Sequence, residues 1–313
     1  MNIYKVLFSI SILILLNSCA FFKKNKTIGN DWCFYNCDPV LDKHPIQDSI
    51  HNIHQTIKLT NKFVVFPLRI ATVIDTLKPK FVAIAEIQKM IEQMNEGFKD
   101  AHIAFEIIEY DTIFSNIKID NLADNTYQTY INFSKENDIY NYITIYLFDY
   151  DNKFCDQKNT SVTCYRKSGF SFVLSDITSN IVLSKFDFSD AKVATHEMGH
   201  FFGLEHTFEV IKYGVERADG SNCRNAGDRI CDTPADPGIA YSVYVHYSDC
   251  EMKDLVEKNT EIEFKPLIAN YMSYYNNCYM KKYSFTNEQN KVIFAAAMSK
   301  LRYGFSKNSK ELR

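Results

Sequence analysis

The sequence predicts an α+β fold: a mixed, twisted β-sheet backed by one helix, a second helix that carries histidines, and an irregular, disulfide-linked C-terminal half beneath. Three observations lead there. Residues 63–183 alternate β-branched and aromatic runs with one stripe of helical period. A short stretch, residues 196–206, brings together His196, His200 and His206. Beyond it Gly, Pro, Asn and Asp gather in turns between cysteines. With 313 residues, 46% hydrophobic and 14% aromatic, the chain can bury a sizeable core. A net charge of -3 supplies no basic field, so a nucleic-acid partner is not expected.

Residues 1–18 read as an export signal, with Lys5 ahead of an almost wholly apolar run from Val6 to Leu16. That run is too short to span a bilayer well. Leu16-Asn17-Ser18-Cys19 resembles the lipobox of bacterial lipoproteins. The resemblance implies a lipid on Cys19 and a membrane-anchored chain facing the periplasm or cell exterior; a plain signal peptide and secretion is the alternative. Residues 19–62 are polar and aperiodic, a tether and leader in which His44, His51 and His54 are expected at the surface. Setting Cys19 aside, the nine cysteines leave Cys33, Cys37, Cys155, Cys164, Cys223, Cys231, Cys250 and Cys278. An even number in an exported chain argues for disulfides. Cys33 and Cys37 are candidates for a local pair, Cys155 and Cys164 for a staple across a polar loop. The last four pair among themselves, with three connectivities open.

The N-terminal part of the main domain, residues 63–206, begins with a strand from Phe63 to Ile74, in which Pro67 removes one ladder donor and suggests an irregularity. Ile84, Ile87, Ile91, Met94 and Phe98 recur at steps of three and four, the buried stripe of an amphipathic helix. Ile103–Tyr110 and Tyr142–Phe148 follow as strands, then short ones at Gly169–Val173 and Ile181–Leu183. Asp187 to Asp190 offers N-caps for a helix from about Ala191 to Phe202.

That helix carries His196-Glu197-Met198-Gly199-His200. Four residues return an α-helix to the same face, so the two imidazoles can share one metal. Glu197 sits beside them as a carboxylate that is not a ligand and can act as general base on water, the arrangement of a zinc hydrolase. Gly203 can take φ > 0, end the helix and turn His206 back as a third ligand. Three protein ligands leave a fourth position for water, which is the catalytic pattern. The spacing H-E-x-x-H-x-x-G-x-x-H is that of the metzincins.

Residues 207–313 form the second subdomain. Turn signals lie at Asp219–Asn222, Ala226–Asp228 and Asp232–Gly238, and a last helix starts at Thr286, where Thr286 and Gln289 match a capping box, and runs to about Leu301. The zinc run is followed in order by Gly227-Asp228-Arg229-Ile230-Cys231-Asp232-Thr233-Pro234-Ala235-Asp236, by Asn270-Tyr271-Met272-Ser273-Tyr274, and by Phe285-Thr286 with Gln289. On these motifs residues 63–301 resemble the pappalysin (cytophagalysin) family of metzincin metallopeptidases.

The resemblance implies a zincin fold with a Met-turn at Met272, zinc on His196, His200 and His206, Glu197 as general base, and Tyr274 as a donor to the developing oxyanion. It also implies calcium on Asp228, Asp232 and Thr233, although aspartates in such turns also cap backbone amides with no ion present. Cys223 with Cys250 and Cys231 with Cys278 are the pairs it favours. In zincins the strand at the cleft edge pairs with extended substrate, so peptide binding is expected beside the strands just upstream of the helix. Together these readings describe an exported zinc endopeptidase acting on polypeptides. The rivals are a zinc hydrolase of a non-peptide amide or ester, and an exported binding protein that kept the fold without the chemistry.

Overall fold

Val64–Ile74, the strand β1, lies inside a five-stranded sheet in which β-branched and aromatic side chains alternate between two buried faces. It is followed by helix α2 (Ile84–Phe98), β2 (Ile103–Phe114), α3 (Thr126–Asn137), β3 (Ile143–Phe148), the hairpin β4 (Lys153–Lys158) and β5 (Ser161–Arg166), β6 (Gly169–Phe170) and β7 (Asn180–Ser184). Helix α1 (Pro45–Ile53) precedes them; α4 (Ala191–Phe201), the two-residue strands β8 (Val245–His246) and β9 (Glu251–Met252), and α5 (Asn287–Ala297) complete the chain. The computed structural model describes residues 45–77, 79–117, 126–139, 142–148, 153–158, 161–166, 169–171, 173, 179–185, 188–258, 260–275, 278 and 280–310. The expectations at Cys19, Cys33, Cys37 and His44 lie outside the described residues. Among the described residues no helix is long and apolar enough to cross a membrane.

The sheet order is β2-β1-β3-β7-β6, with parallel pairing except at β6, which runs antiparallel to β7 on one edge. Parallel strands are covered on both faces, and every residue of β3 and β7 is buried. One face carries Phe66, Leu68, Ile145 and Leu147 into a core shared with α2, α4 and α5. On the other, Tyr130 and Phe133 of α3 stack edge-on against Tyr146, and Phe133 also against Phe148. The irregularity expected near Pro67 is a register shift between Leu68 and Arg69.

Several elements differ from the sequence reading. The stretch from Cys155 to Cys164, read as a polar loop, is the antiparallel hairpin β4–β5, in which the register sets Cys155 opposite Cys164. Their side chains lie outside what is described. Val162, Thr163 and Tyr165 supply strand propensity that the charges of β4 obscure. Helices α1 and α3 lie outside the sequence expectation: α3 is only weakly amphipathic, and in α1 the helical spacing of Ile46, Ile50 and Ile53 is short and set in a polar leader. The last helix ends at Ala297, short of Leu301, while its start is as expected: the Thr286 hydroxyl accepts from Gln289 N and the reciprocal capping bond is present.

Below α4 the chain is mostly turns. The disulfides there are Cys223–Cys231 and Cys250–Cys278, which corrects the pairing of Cys223 with Cys250 and Cys231 with Cys278. The fold decides this: Cα separations of 5.1 and 5.5 Å suit a bridge, across sequence separations of 8 and 28 residues.

Candidate metal centre

Helix α4 starts where the Asp190 carboxylate accepts from Lys192 N. Its last turn closes in a Schellman arrangement: Leu204 N donates to Gly199 O at 3.0 Å, Gly203 N donates to His200 O at 2.8 Å, and Gly203 sits at φ 90°. The chain therefore reverses where the sequence places its glycine. His206 returns so that His200 Nε2 lies 3.1 Å from both His196 Nε2 and His206 Nε2.

Two backbone carbonyls assign the tautomers. His196 Nδ1 lies 2.6 Å from Tyr271 O, and His200 Nδ1 lies 2.7 Å from Leu204 O. A carbonyl can only accept, so each Nδ1 carries the proton and each Nε2 turns a lone pair inward. Lone pairs converging in a buried site repel unless a cation lies between them. Burial, with His200 alongside, pushes His196 down to about 3, which keeps it in the neutral, metal-binding form. Tetrahedral zinc with bonds of about 2.0–2.1 Å needs nitrogens roughly 3.3 Å apart, close to what is found. Among the described residues this is the one His/Cys/Asp/Glu cluster with metal-ligand spacing, so the donor set fits zinc.

Glu197 is buried on the same helix, pointing to the edge of the sheet. A Cβ added to Gly169 of β6 would come within 3.0 Å of Glu197 Cγ and 3.1 Å of its Oε1. The antiparallel edge strand thus passes directly against the carboxylate, at a position with no side chain to obstruct it.

Met272 is fully buried beneath α4, and a Cβ on Gly199 would lie 2.6 Å from its sulfur. Gly199 is what lets the Met-turn approach the helix so closely. The Asn270 carboxamide accepts from Met272 N at 2.8 Å and donates to Gln289 of α5 at 2.8 Å, tying the turn to the last helix. The turn in turn holds the ligands, through Tyr271 O on His196 and through Met272 O, which accepts from Thr207 N at 3.2 Å. The Tyr274 ring lies 4.8 Å from that of His206 and 5.6 Å from that of His196, and Phe208 stacks on His206 at 4.8 Å and 11°. Asp236, which the sequence reading did not single out, accepts from Thr207 Oγ1 at 2.7 Å and from Tyr275 OH at 2.8 Å. It thereby joins the neighbour of a ligand to the neighbour of Tyr274.

The three residues considered for calcium are not equivalent. Thr233 Oγ1 lies 2.9 Å from both oxygens of Asp228, whereas Asp232 accepts from Thr286 Oγ1 at 2.6 Å and Glu288 N at 2.8 Å, capping α5. Glu216 packs against Gly227, next to Asp228 in the chain. Among the described residues its two oxygens are buried without a hydrogen-bond partner, and a Cβ on Gly227 would collide with Oε2. Burial, then Asp236, pushes Glu216 up to about 7, and burial holds Asp228 well above the usual carboxylate range. Glu216 has no local motif, so only the fold could find it.

His51 and His54, expected at the surface, are instead 5% and 1% exposed. Helix α1 packs its polar face on the turn half of the site. Gln47 Nε2 donates to Glu205 Oε1 at 2.7 Å, Arg229 pairs with Asp48 at 2.7 Å, and His54 Nε2 lies 3.6 Å from Glu288. Residues of the leader thus meet residues more than half the chain away, which no local periodicity encodes.

With that geometry in place, comparisons with known proteins give a consistent answer. The profile of the M43 peptidase family, described as pregnancy-associated plasma protein-A, matches residues 125–296. An extracellular metalloprotease of Podospora anserina is 30% identical over 118 residues, 37% of this chain and 32% of that protein. One of Colletotrichum graminicola is 30% identical over 114 residues, 34% of each. The matches thus span about a third of the length of these curated relatives. A solved structure of a Tannerella forsythia promirolysin mutant superposes over 84% of this chain and 90% of that one, with a TM-score of 0.55 and 16% identity, a likeness of fold. The fold is that of a metzincin, and the chain belongs to the pappalysin (M43) family of peptidases.

Proposed function

We propose that the chain is a zinc-dependent endopeptidase that hydrolyses polypeptides outside the cytoplasm. The observation that carries the reading is the convergence of His196, His200 and His206 through Nε2, with the Glu197 carboxylate buried beside them. Zinc, when bound, supplies a Lewis acid that polarises a carbonyl and acidifies water. Glu197 accepts the proton of the attacking water and delivers it to the departing amine. Tyr274, whose ring borders two ligands, donates to the oxyanion as the tetrahedral carbon forms. An extended peptide adds to the edge strand β6, whose Gly169 lets the backbone lie close against Glu197.

Two further assignments belong to this reading. Glu216, Asp228 and Thr233 hold calcium: hard oxygens, one carboxylate of them buried without any partner, match that cation. The export signal at residues 1–18 delivers the chain across the membrane, and a lipid on Cys19 anchors it there.

The deciding experiment incubates the protein with an unstructured polypeptide library, with and without chelator, beside Glu197→Gln. The expected result is chelator-sensitive cleavage that falls by ~10²–10⁴-fold in the variant, which retains its zinc. Undiminished cleavage by Glu197→Gln defeats the mechanism. A wild type that holds zinc and cleaves nothing defeats the peptidase reading.

A further inference from the structure

The residue between Leu204 and the third ligand is an acid, and it is nearly inaccessible: Glu205 is 3% exposed. An isolated buried carboxylate is costly, so its partners matter. Gln47 Nε2 of α1 and Lys212 Nζ both donate to the same oxygen, Oε1, at 2.7 and 2.9 Å. Gln47 is itself 2% exposed, and Ile50 of the same helix is buried in the main core. On one side of Glu205, the Leu204 carbonyl accepts from His200 Nδ1; on the other, His206 brings its Nε2 to His200. The short turn from Gly203 to His206 thus orients one ligand and supplies another, and its only acid is tied to a helix 158 residues earlier.

We propose that Glu205, pinned by Gln47 and Lys212, is a positioning residue for the metal. The leader helix α1 is in this way a brace on the back of the metal site and part of the enzyme's frame. Without the brace the Gly203–His206 turn loses the side-chain tie between Glu205 and the leader, and keeps Leu204 in the core and Thr207 N on Met272 O. His206 then samples orientations away from the metal, and the Leu204 carbonyl drifts from His200. The effect reaches the metal through backbone, so its signature is weaker metal retention in a protein that is still folded. Groups that orient metal ligands commonly contribute 10–100-fold in affinity.

The inference rests on the zinc reading above, and the test separates the two. Full-length wild type, Gln47→Met, Lys212→Met and Ile70→Val are loaded with zinc, and transfer of zinc to a competing chelator is measured while circular dichroism follows the fold. Ile70 is buried in β1, and its truncation lowers global stability without touching the turn. Gln47→Met is expected to hold zinc about 10- to 100-fold less tightly, Lys212→Met to shift in the same direction, and Ile70→Val to match wild type although its Tm falls. Equal retention by Gln47→Met and wild type overturns the brace. So does equal loosening in Ile70→Val, because retention would then follow global stability. Should Gln47→Met not fold, Lys212→Met, whose side chain is 23% exposed, decides by the same criterion. A wild type that takes up no zinc overturns the metal reading itself and the brace with it, whereas zinc held alike by wild type and the folded variants overturns the brace alone.

Discussion

Residues 64–201 hold His196, His200 and Glu197 by burying apolar faces, whereas residues 203–285 hold His206, Met272 and Tyr274 by buried polar bonds, disulfides and a close-packed turn. In the first region the histidines ride a helix packed against α2 and the strands β6 and β7. Positions there follow from regular geometry. The second is tied together by particular contacts, Met272 N on the Asn270 carboxamide, Thr207 N on Met272 O, and Asp236 on Thr207 and Tyr275, and it reaches the first region through Tyr271 O on His196. A buried polar contact has few substitutes, because an orphaned partner costs about 1–3 kcal/mol. The lower region is therefore where modest changes should alter the site without dissolving the fold.

Tyr274→Phe tests that contrast most strongly. Tyr274 lies in the lower region with its ring beside His196 and His206, and loss of its hydroxyl should leave zinc and fold intact and lower turnover by as much as ~10²–10³-fold, the range of one oxyanion donor. Parallel measurement of kcat and zinc content checks it; loss of zinc would show that the ring is a support for the ligands it borders.

The acidic pocket offers a second, smaller effect. Calcium added in excess to chelator-treated protein should raise stability by roughly 3 kcal/mol at a hundredfold over its dissociation constant, seen as a higher Tm. Glu216→Gln should abolish most of the rise, since it removes the negative charge and replaces one of the two unpartnered oxygens with an amide donor. A variant that responds to calcium as wild type does would exclude Glu216 from the pocket's function.

The smallest effect concerns the leader helix. Burial first, then Arg229 and His54, pushes His51 down to about 3, with Asp48 opposing. Its folded state therefore favours the neutral ring, so the stability it supports is complete above about pH 6.5 and is lost as pH falls toward 3. Between pH 7.5 and pH 5 this amounts to about 2 kcal/mol. Comparison of Tm at the two values in wild type and His51→Leu cancels the acid sensitivity of the metal ligands; equal slopes would remove His51 from the acid response.

The histidine cluster is legible in the sequence because an α-helix has a fixed period. His196 and His200 four apart, Glu197 beside them and Gly203 at the stop needed nothing beyond local geometry, and Gly203 does take φ 90°. The amphipathic stripe of α2 and the capping box of α5 were readable for the same reason. Met272 and Tyr274 could be named only through family likeness, since a methionine and one tyrosine among several carry no local signal. Tertiary structure alone decided the rest. His51 and His54 are buried because α1 docks on a distant turn, Asp232 caps α5 while Glu216 is buried against Gly227, and the cysteines pair by proximity in the fold. Period belongs to the chain and can be read along it, while a contact between residues far apart in sequence exists only once the intervening chain has folded.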